Sequence, residues 1–160
     1  MSDELMAAPR DQEDRSTSRK KNKRGAQLKS EIRVPIENVD DIVAARQRGR
    51  ELALQSGFTQ TESTLIATTI SELARNIVLY AKSGGMVLGL VNSGDRSGIT
   101  IVAHDDGPGI ADVQRALMGG YSTSGGLGLG LSGVRRMVDE FEVRTKPGDG
   151  TTVTATKWLR

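Results

Sequence analysis

The sequence predicts one two-layer α/β sandwich: a mixed, mostly antiparallel sheet with helices on one face. Three observations carry that expectation. The element signals run strand, two helices, hairpin, helices, hairpin. The segment 61–82 carries Leu65, Ile66, Ile70, Leu73, Ala74, Ile77, Val78 and Ala81 at helical spacing, a stripe broad enough to cover a sheet. Strand-like runs near 86–103 and 141–158 are each split by a cluster of turn residues. A chain of 160 residues is long enough to build one domain around a real core.

The elements follow in order. Residues 1–27 are polar, charged and without period, and are expected to be a disordered basic tail ahead of a domain at 28–160. Residues 28–36 alternate, with Ile32, Val34 and Ile36 on one face of a first strand. Asn38 or Asp40 caps a helix running to about Ser56 and closed by Gly57. Thr59 or Thr61 caps the striped helix, which runs to about Lys82 with Gly84 and Gly85 as its stop. Strands at 86–91 and 99–103 flank a turn-rich stretch at 92–98. A short helix at 111–117, a small polar loop at 118–126 and a helix at 129–140 come next, and a hairpin around residues 147–150 closes the chain.

Composition excludes several chemistries. There is no cysteine, so disulfide frameworks, thiol catalysis and Cys-based zinc sites are ruled out. A single histidine, His104, lacks the spaced partners of a Ser-His-Asp triad and is expected on the opposite strand face as a structural residue. No apolar run approaches the ~20 residues of a membrane span and no signal-peptide core precedes the domain, so the expectation is a soluble cytoplasmic protein. The basic excess sits in the tail. Residues 1–30 hold eight Lys/Arg against five Asp/Glu, with the knot Arg19, Lys20, Lys21, Lys23 and Arg24 at its centre. No aromatic residue stands there to stack on a base, which favours a solvated extension over a nucleic-acid contact.

Three polar clusters carry the chemistry. Glu72 and Asn76 are four apart on the striped helix, so their side chains are neighbours at the margin of the core. An amide oxygen suits Mg²⁺, and a carboxylate can take a proton from an attacking hydroxyl; the plain alternative is an exposed, solvating pair. Asp105 ends a strand just before Gly107-Pro108-Gly109, where a carboxylate could accept from a ligand edge or simply open a turn. The third cluster is the run from Gly125 to Gly133, in which Gly126, Gly128 and Gly130 alternate with leucines before an apolar helix. Backbone N–H groups at such a helix start can wrap phosphates. Gly128, Gly130 and Gly133 match the spacing of a dinucleotide fingerprint, but no strand precedes them; a P-loop and the conventional protein-kinase motifs are absent as well.

Together, Glu72…Asn76, Asp105-x-Gly107-x-Gly109 and Gly126-x-Gly128-x-Gly130 resemble the N, G1 and G2 boxes of the GHKL ATPase/kinase superfamily, over roughly residues 30–160. The resemblance implies a Bergerat-fold α/β sandwich that uses ATP and Mg²⁺. Residues 71–77 and 121–141 are similar, more closely, to the RsbT-type switch-protein serine kinases of bacterial partner-switching modules. The RsbW and SpoIIAB anti-sigma kinases resemble the chain less, and the long basic tail departs from the usual short RsbT N-terminus.

Carried over by position, the resemblance implies that Glu72 polarises the attacking serine hydroxyl and Asn76 holds Mg²⁺. Asp105 would bind the adenine amino group, with Gly107, Gly109 and Ile110 lining the nucleotide. Gly126, Leu127, Gly128, Leu129 and Gly130 would form the lid, and Thr151 or Thr152 would help Asp105 hold adenine through water. The implied partners are an RsbS-like STAS-domain antagonist, phosphorylated on serine, and an RsbU-like PPM-type phosphatase; neither a membrane nor nucleic acid is expected. The alternative implied by the same boxes is an anti-sigma factor or nucleotide-gated binding module with little or no kinase activity.

Overall fold

The computed structural model describes residues 27–81, 83–110, 117 and 130–160. The predicted tail up to residue 26, most of the predicted helix at 111–117 and the loop at 118–126 lie outside them. The first strand, β1, spans Gln27–Ile36 and turns directly into α1, Val39–Gln55. Asn38 is the cap: its side chain accepts from the Asp41 N–H at 3.1 Å, and the Asp41 carboxylate accepts from the Asn38 N–H at 3.2 Å. Thr59 and Glu62 make the same reciprocal pair at the start of α2, Gln60–Tyr80. Each pair satisfies two backbone donors that a helix start leaves open. Thr59→Ala is expected to cost about 1 kcal/mol of unfolding free energy, to be read from denaturant midpoints at unchanged slope.

After α2 come β2, Gly84–Ser93, and β3, Arg96–Asp105, then α3, Gly130–Met137, β4, Glu140–Thr145, and β5, Thr151–Trp158. The sheet order is β1-β2-β3-β5-β4, and all four pairings are antiparallel, so the described sheet is antiparallel throughout rather than mixed. Residues of α1, α2 and α3 (Ala45, Ala53, Ile66, Ile70, Leu131, Val134) share one core with Val34, Ile36, Met86, Leu88, Ile99, Ile101 and Val153 from the sheet. That is the sandwich the α2 stripe foretold.

Three boundaries differ from the sequence expectation, each for a local reason. The helix α2 stops at Tyr80, and Ala81 is already extended. Gly84 and Gly85 are the start of β2, where they pair with Asp105 and His104. The hairpin between β2 and β3 turns at Gly94 and Asp95 alone, because the ladder continues through Asn92↔Ser97 and Ser93↔Arg96. Polar side chains there sit beyond the core edge, and the backbone pairs regardless of them. The helix α3 ends at Met137 because the chain after it joins the sheet: the Asp139 N–H donates to the Thr156 carbonyl at 2.9 Å.

Asp139 also ties down the C-terminal strand. Its carboxylate accepts from the Trp158 N–H at 2.8 Å and from Arg160 at 2.7 Å, while the Trp158 indole N–H donates to Glu140. Burial alone would raise the Asp139 pKa, but the Trp158 N–H, Arg160 and Lys157 outweigh it and hold the carboxyl below its ordinary value. A depressed folded-state pKa stabilises the fold above the unfolded value and loses that contribution as pH falls through the folded one. Asp139→Asn is therefore expected to cost about 1 kcal/mol near neutral pH, and to flatten the loss of stability below about pH 4. Urea titrations across that range read both effects.

Candidate nucleotide site

One end of the sheet brings two of the predicted site residues, Asp105 and Thr151, into a row with Gly84 and Thr145. Register places Gly84 opposite Asp105, Asp105 opposite Thr151, and Thr151 opposite Thr145, so four neighbouring strands each contribute one residue at the same level. Directly opposed residues share a face, and this is the face that carries Met86, Ile101 and Val153 into the core beneath the helices. Gly84 is needed beside Asp105: an added Cβ would strike the His104 carbonyl and lie 3.1 Å from the Asp105 Cβ and 2.8 Å from Ile77 of α2.

Asp105 lies half-buried at the end of β3, and its Oδ1 accepts from the Gly107 N–H at 2.8 Å. That bond folds the chain into a tight turn. Gly107 lies against the end of α2, where a side chain would come within 3.0 Å of the Tyr80 carbonyl and the Ala81 Cβ. The turn is thus wedged between α2 and the β4–β5 hairpin. On the hairpin side, the Gly148 N–H donates to the Pro108 carbonyl at 2.8 Å, and Gly109, with φ +82°, backs onto the Lys146 carbonyl. The Ile110 N–H donates to the Thr145 hydroxyl at 2.8 Å.

Glu72 and Asn76 stand on α2 upstream of this wedge. Glu72 is 8 % exposed, which removes the reading of a solvated surface pair for it; Asn76 is half-buried. Among the described residues the Glu72 carboxylate meets Arg75, at 3.4 Å, and the Arg75 side chain is about half exposed. The donor set fits a Mg²⁺ ion held mainly by substrate phosphates and water. Among the described residues no three His, Asp or Glu side chains gather into a metal cage, and Asn76 offers the hard amide oxygen such an ion accepts.

The pairing also separates the two candidate threonines. Thr151 lies beside Asp105, whereas Thr152 pairs with His104 and Arg144 and shares the outer face with them. His104 is exposed there, its ring over Gly85, as expected of a structural residue on the opposite face. Gly130 opens α3 with φ +65°, while Gly126, Leu127, Gly128 and Leu129 of the glycine run lie outside the described residues. Two members of the site went unread in the sequence, Thr145 and Gly150. The signal was present: a five-residue loop, 146–150, forces 145 and 151 to face each other across the hairpin.

The comparisons with known proteins bear on the family and the fold. The family model described as histidine kinase-, DNA gyrase B-, and HSP90-like ATPase matches residues 61–160. The serine/threonine-protein kinase RsbT of Bacillus subtilis (strain 168) is 50 % identical over 120 residues, 75 % of this chain and 90 % of its own. An anti-sigma F factor of Thermoanaerobacter sp. (strain X514) is 32 % identical over 113 residues, 67 % of this chain and 78 % of its own.

Among solved structures, the RsbU and RsbW domains of Rv1364c from Mycobacterium tuberculosis align with a TM-score of 0.55 at 18 % identity, covering 82 % of this chain and 34 % of that one. The SiaB–SiaC complex from Pseudomonas aeruginosa aligns with a TM-score of 0.52 at 11 % identity, over 82 % of this chain and 91 % of that one. These two speak for the fold. The family match and the RsbT identity speak for descent, and by them the chain belongs to the histidine kinase-, DNA gyrase B- and HSP90-like ATPases, in the branch of RsbT-type serine/threonine-protein kinases.

Proposed function

We propose that residues 28–160 form an ATP- and Mg²⁺-dependent protein-serine kinase domain that phosphorylates a STAS-domain antagonist in the cytoplasm. Freed of that partner, it activates a PPM-type phosphatase. The observation that carries the reading is Glu72, a buried carboxylate four residues before Asn76 on a helix whose end abuts the Asp105 turn. The 50 % identity to RsbT supports the same reaction.

Phosphoryl transfer asks a protein for positioning and charge neutralisation more than for covalent chemistry. Bound Mg²⁺ supplies neutralisation of the phosphate charge, and Asn76 is the residue to hold it. Asp105 anchors the amino edge of adenine, with Thr151 beside it. Gly107, Gly109 and Ile110 shape the turn under the base, and the glycine run ending at Gly130 closes over the phosphates with its N–H groups. Glu72 orients the acceptor hydroxyl and takes its proton as the serine oxygen bonds to the γ-phosphorus and the bond from that phosphorus to the bridging oxygen breaks, releasing ADP.

Incubation with labelled ATP, Mg²⁺ and an RsbS-like STAS protein tests the proposal: transfer to a serine of that partner is expected, and a chain that binds ATP without transferring label would overturn it. The 32 % identity to anti-sigma F factors favours a second reading, an ATP-gated module that sequesters a sigma factor. Retention of a sigma factor rather than the STAS protein on the immobilised chain would support that reading.

A further inference from the structure

Three groups converge on the hydroxyl of Thr145. The Ile110 N–H donates to it at 2.8 Å, the Gly150 carbonyl accepts from it at 3.2 Å, and the Thr151 hydroxyl lies 3.0 Å away. A threonine hydroxyl owns one proton and two acceptor lone pairs. Ile110 occupies one lone pair. All three contacts are hydrogen bonds together only if Thr145 gives its proton to Gly150 and Thr151 gives its own proton to Thr145. The opposite sense, Thr145 donating to Thr151, would leave the Gly150 carbonyl, among the described residues, with only the long 3.5 Å approach of the Lys146 N–H. Polar groups tucked under a hairpin favour the arrangement that satisfies the most of them.

In that arrangement Thr151 has no proton left for a ligand and presents lone pairs only. Its neighbour across the ladder, Asp105, is an acceptor as well. We infer that Thr145 is a positioning residue that makes Thr151 an obligate acceptor, so that the Asp105–Thr151 edge selects a base bearing N–H donors there, the 6-amino group of adenine. The inference rests on the proposed assignment of Asp105 to adenine. Thr145 touches no ligand itself; it acts through Thr151 and through the Ile110 end of the turn.

The test is equilibrium binding to the full chain, by calorimetry, of ATP and of purine riboside triphosphate, which lacks the 6-amino group. The wild-type chain is expected to prefer ATP. Thr145→Val should narrow that preference by about tenfold, the worth of one hydrogen bond, with affinity for the amino-less nucleotide little changed, and Thr145→Ser should keep the preference. Thr151→Ala should narrow it equally, and adding Thr145→Val to Thr151→Ala should narrow it no further. Equal weakening of both nucleotides by Thr145→Val would mean a merely structural role and overturn the inference, as would an intact preference. Should Thr145→Val not fold, Thr151→Ala and Thr145→Ser decide: a preference unmoved by the first or lost in the second overturns it. Asp105→Asn separates the two levels. If it leaves the preference untouched, the adenine assignment fails and takes the inference with it; if it abolishes the preference while Thr145→Val does not, the inference alone fails.

Discussion

Glu72→Gln is expected to lower the rate of serine phosphorylation by about 10²–10⁴-fold, the usual contribution of a positioned general base, while ATP binding persists. The substitution keeps the shape of the side chain and its place on α2, so the Asp105 turn at the far end of that helix is not disturbed. What it removes is the proton acceptor. Stability should hold or rise, because among the described residues the buried carboxylate has a single contact, at 3.4 Å to Arg75, and a neutral amide there relieves a desolvated charge. The combination is diagnostic: a kinase-dead chain that melts no lower and still binds ATP. Single-turnover transfer to the STAS partner, calorimetric ATP binding and a thermal melt supply the three readings. A full transfer rate in Glu72→Gln would remove Glu72 from the mechanism.

Glu72 also illustrates what a sequence reveals and what it withholds. Its place at the edge of the α2 stripe follows from helical period alone, and so does its adjacency to Asn76. Its burial does not. Whether an edge position is wet or dry depends on what packs over it, and the elements that decide this come from elsewhere in the chain. The same divide runs through the fold. The caps at Asn38 and Thr59, the α2 stripe and the closing hairpin are local patterns, and each was legible. The strand order was not, because β5 inserts between β3 and β4, and no local signal specifies that insertion.

That insertion assembles the site. It sets Thr151 between Asp105 and Thr145 and so converts three hydroxyl or carboxylate side chains, spread over 47 positions of sequence, into one row. The choice between Thr151 and Thr152 follows from the same fact. In a strand a one-residue step reverses the face, so the proposed role of Thr151 depends on the β3–β5 register rather than on the Gly-Thr-Thr motif. Strand ends differ from the sequence expectation for a related reason: Asn92, Ser93 and Ser97 are turn-forming residues by type, yet they pair because the ladder bonds belong to the backbone.

Gly150 shows how strongly that register is held, and Gly150→Ala is expected to destabilise the fold by about 3 kcal/mol, close to 10 °C in melting temperature for a domain of this size. Two costs combine. The residue has φ +84°, which an alanine adopts at a penalty of about 1 kcal/mol. Its added Cβ would also collide with the Asp105 carbonyl oxygen and lie 3.2 Å from the Asp106 Cα, which are backbone atoms unable to rotate away. Overpacking of that kind costs about 1–3 kcal/mol. Gly148 in the same loop separates the terms: its φ is +85°, but nothing lies within 4 Å of an added Cβ. Gly148→Ala should therefore show the conformational cost alone, about 1 kcal/mol, with ATP affinity unchanged. Gly150→Ala should lose ATP affinity as well, because the hairpin can yield only by moving Asp105 and Thr151 apart. Equal effects of the two substitutions on both melting and ATP binding would show that the contact between Gly150 and Asp105 does not govern the nucleotide site.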